Sequence, residues 1–354
     1  MIYLASLYYD SGLVTGANKR FDEIGSRLIR DYPGEIKVIV SKGNKPDWAP
    51  YSNVYEVPYS NNSGYLSRVF SYIYFSFLLL SLKKGSLYSD FMPVPIVSFF
   101  KHKHFQLTHD LRSDTTFTRG SWGRLIPLLQ KVQFKLCPNI VTVSEATKSH
   151  LIDAFKLKPN SISVSYNGFN SDHSHDVDAN DLERDIDLLY IATFEPRKNH
   201  SYLIESLSHI ERKLNVVFLG KDLGNKKLVI SLCENSHHTF SFIDSVSPID
   251  LKNLYSRANT FVSPSLFEGF GMPLIEALQN SCNVACSDIQ VFREICGDYA
   301  YFFPTDDPQI ASEVIGKSLE NRLTSEQAEA VKLHVSQFDW EGISSELYRL
   351  MKCY

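Results

Sequence analysis

Paired cysteines are missing from this chain of 354 residues, although it contains six cysteines. None of them lies in a CxxC pattern; they occur at positions 137, 233, 282, 286, 296 and 353. Scattered thiols of this kind are typical of proteins from reducing compartments. The pattern therefore argues against a disulfide scaffold and against a zinc site built from cysteine pairs.

Long hydrophobic runs are also missing. The most apolar stretch, residues 69–82, is interrupted by serines and is shorter than the roughly 20 residues that a membrane-spanning helix needs. The opening sequence MIYLASLYYDSG has neither a basic region nor a cleavage site, so we expect no signal peptide. These absences predict a cytoplasmic protein.

Several motifs that carry chemistry are absent as well. The sequence contains no HExxH, GxSxG or P-loop motif, and no stripe of basic and aromatic residues of the kind that binds nucleic acid. We therefore expect no metal, no other cofactor and no nucleic-acid partner. The composition, 44% hydrophobic and 21% charged, suits a folded protein of roughly two domains.

Charge is distributed unevenly along the chain. Residues 1–165 carry 20 basic and 12 acidic side chains, whereas residues 166–354 carry 16 and 28. Two explanations stay open. The asymmetry arises by chance, or the first half contacts an anionic partner such as the inner face of the cytoplasmic membrane. Segment 63–85 is rich in aromatic residues and leucine and ends near Lys83 and Lys84. It fits an interfacial helix or a buried domain helix, and we favour the buried helix.

Short apolar runs alternate with helical patterns through most of the chain. We predict strands at 2–9, 36–41, 53–58, 105–109, 139–144 and 161–167, and again at 188–194, 215–220, 238–243, 259–264 and 283–288. Helical patterns occupy 17–31, 66–84, 145–155, 203–213, 248–256, 273–279 and 325–338. This alternation predicts an α/β protein with two doubly wound, Rossmann-like parallel sheets that face each other across a deep cleft.

An acidic segment separates the two series of strands. Residues 170–187 contain seven acidic residues and one basic residue, so we interpret them as a linker that leads into the second domain. The first domain is predicted at 1–169 and the second at 188–338. The linker contains His173 and His175, but a metal would need further ligands there. For the same reason we do not predict a metal site at the DxD sequence of residues 185–187.

The strongest candidate site lies in residues 259–280, NTFVSPSLFEGFGMPLIEALQN. A strand leads into a loop with Gly269 and Gly271, and a helix begins near Pro273, where the missing N–H costs nothing. The backbone N–H groups of Phe270, Gly271 and Met272 then converge near a helix N-terminus, which favours anions or sugar hydroxyls. Glu268 and Glu276 flank this turn and can bind hydroxyl pairs.

A second candidate follows the strand of residues 188–194. Arg197 and Lys198 lie in the loop after this strand, where they can offer two positive charges to a diphosphate. Asn199 is suited to cap the next helix.

Two weaker candidates follow strands of the first domain. Gly16 precedes a helix, where the lack of a side chain lets a ligand approach the backbone. His109 ends a strand and is expected at the mouth of the cleft. Each is equally well explained by a structural role when taken alone.

Together these segments carry a resemblance to a known family. SPSLFEGFGMPLIEAL (263–278) resembles the signature of two glutamates found in family 4 of the retaining glycosyltransferases, which have the GT-B fold. ATFEPRKNH (192–200) is similar to the donor-phosphate loop of that family, and HDL (109–111) to the segment that bears its active-site histidine. Further similar segments are TVSEATKSHLI, YNGF, FIDSVSPIDLKNLYSRANTFVSPS, REICGDYAYFF and FDWEGISSELYRLM. The last implies that residues 339–354 form a helix that returns to the first domain.

The resemblance implies a role for each candidate. Arg197 and Lys198 neutralise the diphosphate of the donor, which makes a metal unnecessary. Glu276 bonds to the nucleotide ribose, and Glu268 holds the transferred sugar. The remaining implied donor contacts are Gly16, Gly269, Phe270, Gly271, Met272, Pro273 and Leu274. His109 bonds to a hydroxyl of the reacting sugar, and the anomeric configuration is retained by front-face departure and attack.

This sequence departs from the family pattern after the signature. Ser281 stands where glycine is usual and Asn283 stands where proline is usual, which leaves the geometry of that turn open. The glycine loop before the first helix keeps Gly16 alone, where many members have adjacent glycines.

The resemblance is strongest to bacterial mannosyltransferases that use GDP-mannose in surface polysaccharide synthesis. It implies a glycan or polyprenyl-diphosphate-linked glycan as acceptor. A UDP-sugar donor stays open, as does a non-catalytic member that only binds a nucleotide sugar. An epimerase or phosphorylase of the same fold is a further alternative, but a phosphorylase needs a longer chain.

Overall fold

The computed structural model describes residues 1–12, 15–58, 65–90, 94–110, 125–170, 184–321 and 323–352. The chain divides into two compact units. Unit 1 comprises residues 1–168 and 338–354, and unit 2 comprises residues 169–337. Residues 171–183, which include most of the predicted acidic linker with His173 and His175, lie outside the described residues.

Unit 1 is built on a parallel sheet with the strand order β3-β2-β1-β4-β5-β6-β7. Its strands are β1 (Ile2–Ser6), β2 (Ile36–Ser41), β3 (Val54–Val57), β4 (Ser86–Ser89), β5 (Lys103–Thr108), β6 (Asn139–Thr142) and β7 (Ile162–Val164). Its first four helices are α1 (Gly16–Asp31), α2 (Tyr65–Ser81), α3 (Leu125–Leu136) and α4 (Glu145–Phe155). All five residues of β1 are buried, as expected for a central strand covered on both faces.

Unit 2 contains a second parallel sheet with the strand order β10-β9-β8-β11-β12-β13. Its strands are β8 (Ile186–Ile191), β9 (Asn215–Leu219), β10 (Thr239–Ile243), β11 (Ala258–Ser263), β12 (Asn283–Ser287) and β13 (Tyr301–Phe303). Its helices are α5 (His200–Leu207), α6 (Lys226–Cys233), α7 (Pro248–Arg257), α8 (Met272–Gln279), α9 (Gln290–Cys296), α10 (Pro308–Glu320) and α11 (Ser325–Val335). The predicted α/β class with two doubly wound units is confirmed.

The last helix, α12 (Trp340–Lys352), belongs to unit 1. Trp340 is fully buried, and Ser86 of β4 donates a hydrogen bond from Oγ to the carbonyl of Met351 at 2.8 Å. On the outer side, Arg27 of α1 pairs with Glu341 at 2.9 Å. A Cβ on residue 168 would collide with the carbonyl of Phe338 and the ring of Trp340, so only glycine fits at this position.

Helix α2 has a buried face and an exposed face. The buried face carries Ser71, Phe75 and Leu79, and Leu82, which directly follows the helix, is buried as well. The opposite face carries Phe70, Ile73, Tyr74, Phe77 and Leu80, and these large apolar side chains are exposed. The expectation of a buried domain helix therefore holds for one face only. Among the described residues, no helix is long and apolar enough to span a membrane.

Candidate functional site

The two candidate loops of unit 2 follow neighbouring strands. Strands β8 and β11 pair in parallel, with Leu188 opposite Thr260, so the loops that follow them leave the same edge of the sheet. The backbone N–H of Leu266 donates to the carbonyl of Arg197 at 2.9 Å. The hydroxyl of Tyr190 donates to the carbonyl of Lys198 at 2.7 Å. The first bond joins the two loops, and the second holds the first loop against strand β8.

Arg197, Lys198 and Glu268 form an ionic cluster at this edge. Arg197 Nη1 lies 3.2 Å from one carboxylate oxygen of Glu268, and Lys198 Nζ donates to the other. Arg197 also pairs with Glu195 at 2.8 Å and donates to the carbonyl of Phe267 at 3.2 Å. The structure therefore joins the predicted diphosphate-binding pair to the predicted sugar-binding glutamate.

The ionic cluster is largely shielded from water. The side chains of Glu268 and Lys198 are 14% and 13% exposed. Burial acts to raise the pKa of Glu268, but the charges of Lys198 and Arg197 outweigh it and hold that pKa below its usual value. Glu268 is therefore charged at neutral pH, and together with Glu195 it balances the two cations that a diphosphate would need.

The glycine-rich turn places backbone rather than side chains at the site. Gly271 adopts a φ of 102°, and a Cβ on it would lie 2.8 Å from the side chain of Leu274. Helix α8 begins at the next residue, Met272, with Pro273 in its first turn. Phe270 and Leu274 are buried in the core. This part of the site can thus offer N–H groups near a helix N-terminus.

Glu276 is the fifth residue of α8, one turn further along the helix. Its carboxylate accepts a hydrogen bond from the hydroxyl of Tyr255 at 2.9 Å. Burial and the nearby charge of Glu276 raise the pKa of Tyr255 well above its usual value, so the tyrosine is a neutral donor. Tyr255 thereby fixes one oxygen of Glu276.

Unit 1 places its two candidates at the carboxyl edge of its own sheet. Gly16 is the first residue of α1, and it is exposed. The hydroxyl of Thr15 accepts the N–H of Asn18 and caps the helix. His109 directly follows β5 and is half-buried. Both positions suit ligand contacts, and their roles stay predictions.

Sequence reasoning missed the residues that support the site. Tyr190 bonds to the carbonyl of Lys198, and Tyr255 bonds to Glu276. Tyr190 lies in an apolar strand and Tyr255 lies on the buried face of a helix, and these positions predict only a role in the core. Ser265 is fully buried and lies 3.3 Å from Tyr190 Oη, hydroxyl to hydroxyl. Its only signal was its place inside the signature segment.

Other residues singled out in unit 2 have structural partners. Asp185 pairs with Arg257 at 2.5 Å, and Asp187 pairs with Arg212 at 2.8 Å. Asn199 precedes α5, but its side chain makes no capping bond; its φ of 55° ends the short helical turn before it. The expected capping role was wrong because the backbone, not the side chain, makes this junction.

The two departures from the family pattern are accommodated locally. Ser281 takes the left-handed conformation, with a φ of 56°, that glycine adopts at no steric cost. Its carbonyl accepts a hydrogen bond from Arg184 at 3.0 Å. Asn283 donates from Nδ2 to the carbonyl of Ser318 at 2.7 Å. The turn therefore forms with these residues.

Comparison with known proteins gives a family match within the second unit. Residues 174–332 match the family model described as Glycosyl transferases group 1. The chain is 31% identical over 171 residues to O-antigen chain mannosyltransferase B of Escherichia coli, covering 46% of this chain and 45% of that protein. It is 30% identical over 183 residues to O-antigen chain mannosyltransferase RfbU of Salmonella typhimurium, covering 51% and 50%. The chain thus matches about half the length of these curated relatives.

Solved structures resemble the chain over nearly its whole length. Sucrose-phosphate synthase from Thermosynechococcus elongatus has a TM-score of 0.78 at 16% identity, covering 99% of this chain and 98% of that one. Anabaena Alr3699/HepE in complex with UDP and glucose has a TM-score of 0.74 at 15% identity, covering 100% of both chains. These similarities confirm the predicted GT-B fold.

Proposed function

We propose that this chain, whose residues 174–332 form a glycosyl transferases group 1 domain, is a retaining, metal-independent mannosyltransferase. Its donor is GDP-mannose, and its acceptor is a glycan or a polyprenyl-diphosphate-linked oligosaccharide of a bacterial surface polysaccharide. One observation carries the proposal. Arg197, Lys198 and Glu268 form an ionic cluster across two adjacent loops, and Glu276 lies in the helix that follows the second loop. Groups suited to a diphosphate, a sugar and a ribose therefore lie at the same edge of the sheet.

The proposed chemistry follows from the charge that develops as the donor reacts. When the bond between sugar and diphosphate breaks, negative charge grows on the leaving diphosphate. Arg197 and Lys198 stabilise that charge, which is the main requirement of such a reaction. Glu268 and the N–H groups of Phe270, Gly271 and Met272 hold the transferred sugar.

The remaining roles complete the donor site. Glu276 accepts hydrogen bonds from the ribose hydroxyls, and Tyr255 keeps its carboxylate oriented. Gly16 leaves room for the phosphates, and His109 bonds to a sugar hydroxyl. The acceptor hydroxyl attacks the face that the diphosphate leaves, and the configuration is retained.

The choice of mannose rests on the relatives, and the choice of GDP rests on the resemblance of residues 192–199 to mannosyltransferases that use GDP-mannose. Two of the relatives are named O-antigen chain mannosyltransferases. A structural neighbour holds UDP and glucose, so a UDP-sugar is the alternative donor. A non-catalytic, nucleotide-sugar-binding chain is the second alternative, but the complete set of charged site residues favours transfer.

A panel of nucleotide sugars tests the donor. A ligand that binds only the folded chain raises the melting temperature by mass action. We expect GDP and GDP-mannose to raise it and UDP compounds to leave it unchanged. A shift with UDP compounds alone would exclude GDP-mannose, and no shift with any of them would contradict the proposed nucleotide-sugar site itself.

Kinetics test the catalytic roles and the absence of a metal. Arg197→Ala and Lys198→Ala should each lower turnover by about 100-fold, because one charge-assisted contact to the leaving group is lost. EDTA should leave turnover unchanged. The matched control is Lys227→Ala, a surface cation of the same unit, which should retain wild-type turnover. Loss of activity in EDTA would contradict the metal-free proposal.

We further propose that the exposed apolar face of α2 contacts an anionic membrane. Phe70 and Phe77 are 61% and 69% exposed, whereas a surface helix normally turns polar residues to water. Residues 57–89 contain no acidic side chain and include the exposed Lys83 and Lys84. An apolar face with a basic end is typical of a helix that lies in a lipid interface.

Vesicle sedimentation tests this membrane contact. The chain should sediment with vesicles of phosphatidylglycerol and phosphatidylethanolamine, but not with phosphatidylcholine alone, and added salt should weaken the binding. Phe70→Ser with Phe77→Ser should abolish it. Leu333→Ser, which changes a similarly exposed side chain of α11, should leave it intact. Equal binding by both variants would refute the assignment to α2.

A further inference from the structure

The order in which the chain adds strands to the sheet of unit 1 reverses at β1. Strands β2 and β3 lie on one side of β1, and the chain then returns to place β4 on the other side. The carboxyl ends of β1 and β4 therefore border a topological switch point. In open parallel sheets, ligands bind in the crevice at this point.

Asp90 lies at that switch point. It directly follows Ser89, the last residue of β4, and its Oδ2 accepts a hydrogen bond from Ser6, the last residue of β1, at 2.8 Å. Its Oδ1 is buried and accepts no hydrogen bond from the part of the chain that the structure describes. Buried carboxylate oxygens normally have partners, so an unpartnered one at a switch point is a candidate contact for a ligand group.

The cation that lines the same cavity as Asp90 does not supply that partner. Asp90 borders a small cavity between α1 and the sheet, and Arg20, Tyr88 and Leu107 line the same cavity. Arg20 is 1% exposed, and its guanidinium makes five hydrogen bonds to neutral oxygens. These bonds use all five donors of an arginine, so Arg20 has no N–H left for Asp90.

The chemistry of Asp90 restricts what binds to its free oxygen. A buried carboxylate repels phosphate, and it accepts hydrogen bonds from hydroxyl groups. The other oxygen already accepts the Ser6 hydroxyl, so one O–H completes the group. His109, which the family resemblance places at the reacting sugar, comes two residues after Leu107 of the same cavity.

We propose that Asp90 binds a hydroxyl group of a sugar through Oδ1. This inference rests on the proposed glycosyltransferase function and adds a substrate contact in unit 1. The hydroxyl belongs either to the transferred sugar or to the acceptor. In both cases Asp90 is a binding residue at the switch point rather than a purely structural one.

Binding and kinetics of Asp90→Asn test the inference. The variant keeps the shape of the side chain and an acceptor for Ser6 but loses the charge. The donor arm compares GDP with GDP-mannose by calorimetry. The acceptor arm measures transfer from GDP-mannose to methyl α-mannoside. Loss of a charged hydrogen bond should weaken one sugar by about 10- to 100-fold while GDP binding stays unchanged.

The two arms separate the possible sources of the hydroxyl. A selective loss of GDP-mannose affinity assigns Asp90 to the transferred sugar, and a selective rise in the acceptor KM assigns it to the acceptor. Unchanged values in both arms would overturn the inference. Asp153→Asn, which alters an exposed carboxylate of unit 1, should behave as wild type.

Two controls keep a folding defect or an inactive wild type from being mistaken for a loss of sugar binding. If Asp90→Asn folds poorly, Asp90→Glu keeps the charge but moves the oxygens, and it should also lose sugar affinity while binding GDP normally. If the wild-type chain itself binds no nucleotide sugar and transfers none, the proposed function fails, and this inference fails with it. A wild type that transfers sugar beside an unaltered Asp90→Asn overturns the inference alone.

Discussion

At the scale of single residues, Glu268 has two opposing roles. Its carboxylate pairs with both Arg197 and Lys198 from a shielded position, and Glu195 supplies a second carboxylate to Arg197. Under the proposed function, a donor diphosphate needs the same two cations. The carboxylate would then compete with the phosphates for these cations while it also holds the sugar.

This competition predicts opposite effects for the two signature glutamates. Glu268→Gln should tighten GDP binding several-fold, because the cations lose their internal anion, and it should lower turnover by about 100-fold. Glu276→Ala should weaken GDP binding by about 1–3 kcal/mol, because charged hydrogen bonds to the ribose are lost. Calorimetry with GDP, and with UDP if that is the ligand, measures both. Weaker nucleotide binding in Glu268→Gln would contradict the competition.

Asp90 gives the second prediction at this scale. Burial raises its pKa to about 6, and the hydrogen bond from Ser6 lowers it by less. The folded chain therefore binds this proton more tightly than the unfolded chain. Between about pH 4 and 6 the contribution of Asp90 to stability falls as the pH rises. At neutral pH its charge lowers the free energy of unfolding.

Asp90→Asn should therefore stabilise the chain at neutral pH. We expect a gain of about 1–3 kcal/mol at pH 7 that disappears near pH 4, where the wild-type carboxyl is protonated in the folded state. Denaturant unfolding at several pH values measures this difference. A constant difference across the range would show that the Asp90 carboxyl does not titrate as described. If Asp90→Asn is more stable but binds sugar poorly, the wild-type Asp90 lowers stability in order to bind the sugar.

At the scale of elements, most of the sheet can be predicted from the sequence, but two strands cannot. The long apolar runs at β1, β2 and β11 predict central strands, and all are buried. β4 has only four residues, SLYS, and β13 only three, YFF. Neither shows alternation or a β-branched run, so only their neighbours in the sheet make them strands. Asp90 was missed for that reason, since the strand before it was missed.

Helix α5 was predicted from the sequence, but its bounds were wrong. The apolar spacing predicted a helix over 203–213, whereas it spans His200–Leu207. His200 is 1% exposed and packs 4.7 Å from the ring of Phe194, ring centre to ring centre, so tertiary packing begins the helix earlier. The helix ends at Leu207 and not at 213, although the pattern continued. The two ion pairs that reach Glu268 could not be predicted from the sequence either, because they join residues 70 or more positions apart.

The turn before α8 gives a prediction at the element scale. Gly271→Ala should lower the free energy of unfolding by about 1–3 kcal/mol, because alanine is strained at a φ of 102° and its Cβ would press on Leu274. GDP binding should weaken as well. Gly316→Ala in α10, where a Cβ meets nothing within 4 Å, should instead stabilise by about 0.5–1 kcal/mol. Thermal unfolding of the pair measures the contrast; a neutral Gly271→Ala would contradict the strain.

At the scale of the whole molecule, the two units differ in how the chain builds them. Unit 2 is one continuous segment, whereas unit 1 combines residues 1–168 with 338–354. Residues 169–337 alone should therefore fold and bind GDP. A chain that lacks 338–354 should lose the cooperative unfolding of unit 1, because Trp340 and Met351 leave its core. Calorimetric unfolding of both truncated chains measures this. Cooperative unfolding of unit 1 without its last helix would contradict the division.

The return of α12 to unit 1 also has a consequence for the order of synthesis. Translation releases all of unit 2 from the ribosome before it releases residues 338–354. The second unit can thus fold first, whereas residues 1–168 cannot complete unit 1 until residues 338–354 have been synthesised. The sheet of unit 1 then lacks the buried Trp340 and Met351 for the whole time that unit 2 is being translated. A nascent chain stalled before residue 338 would expose apolar surface in residues 1–168, where chaperones would be expected to bind.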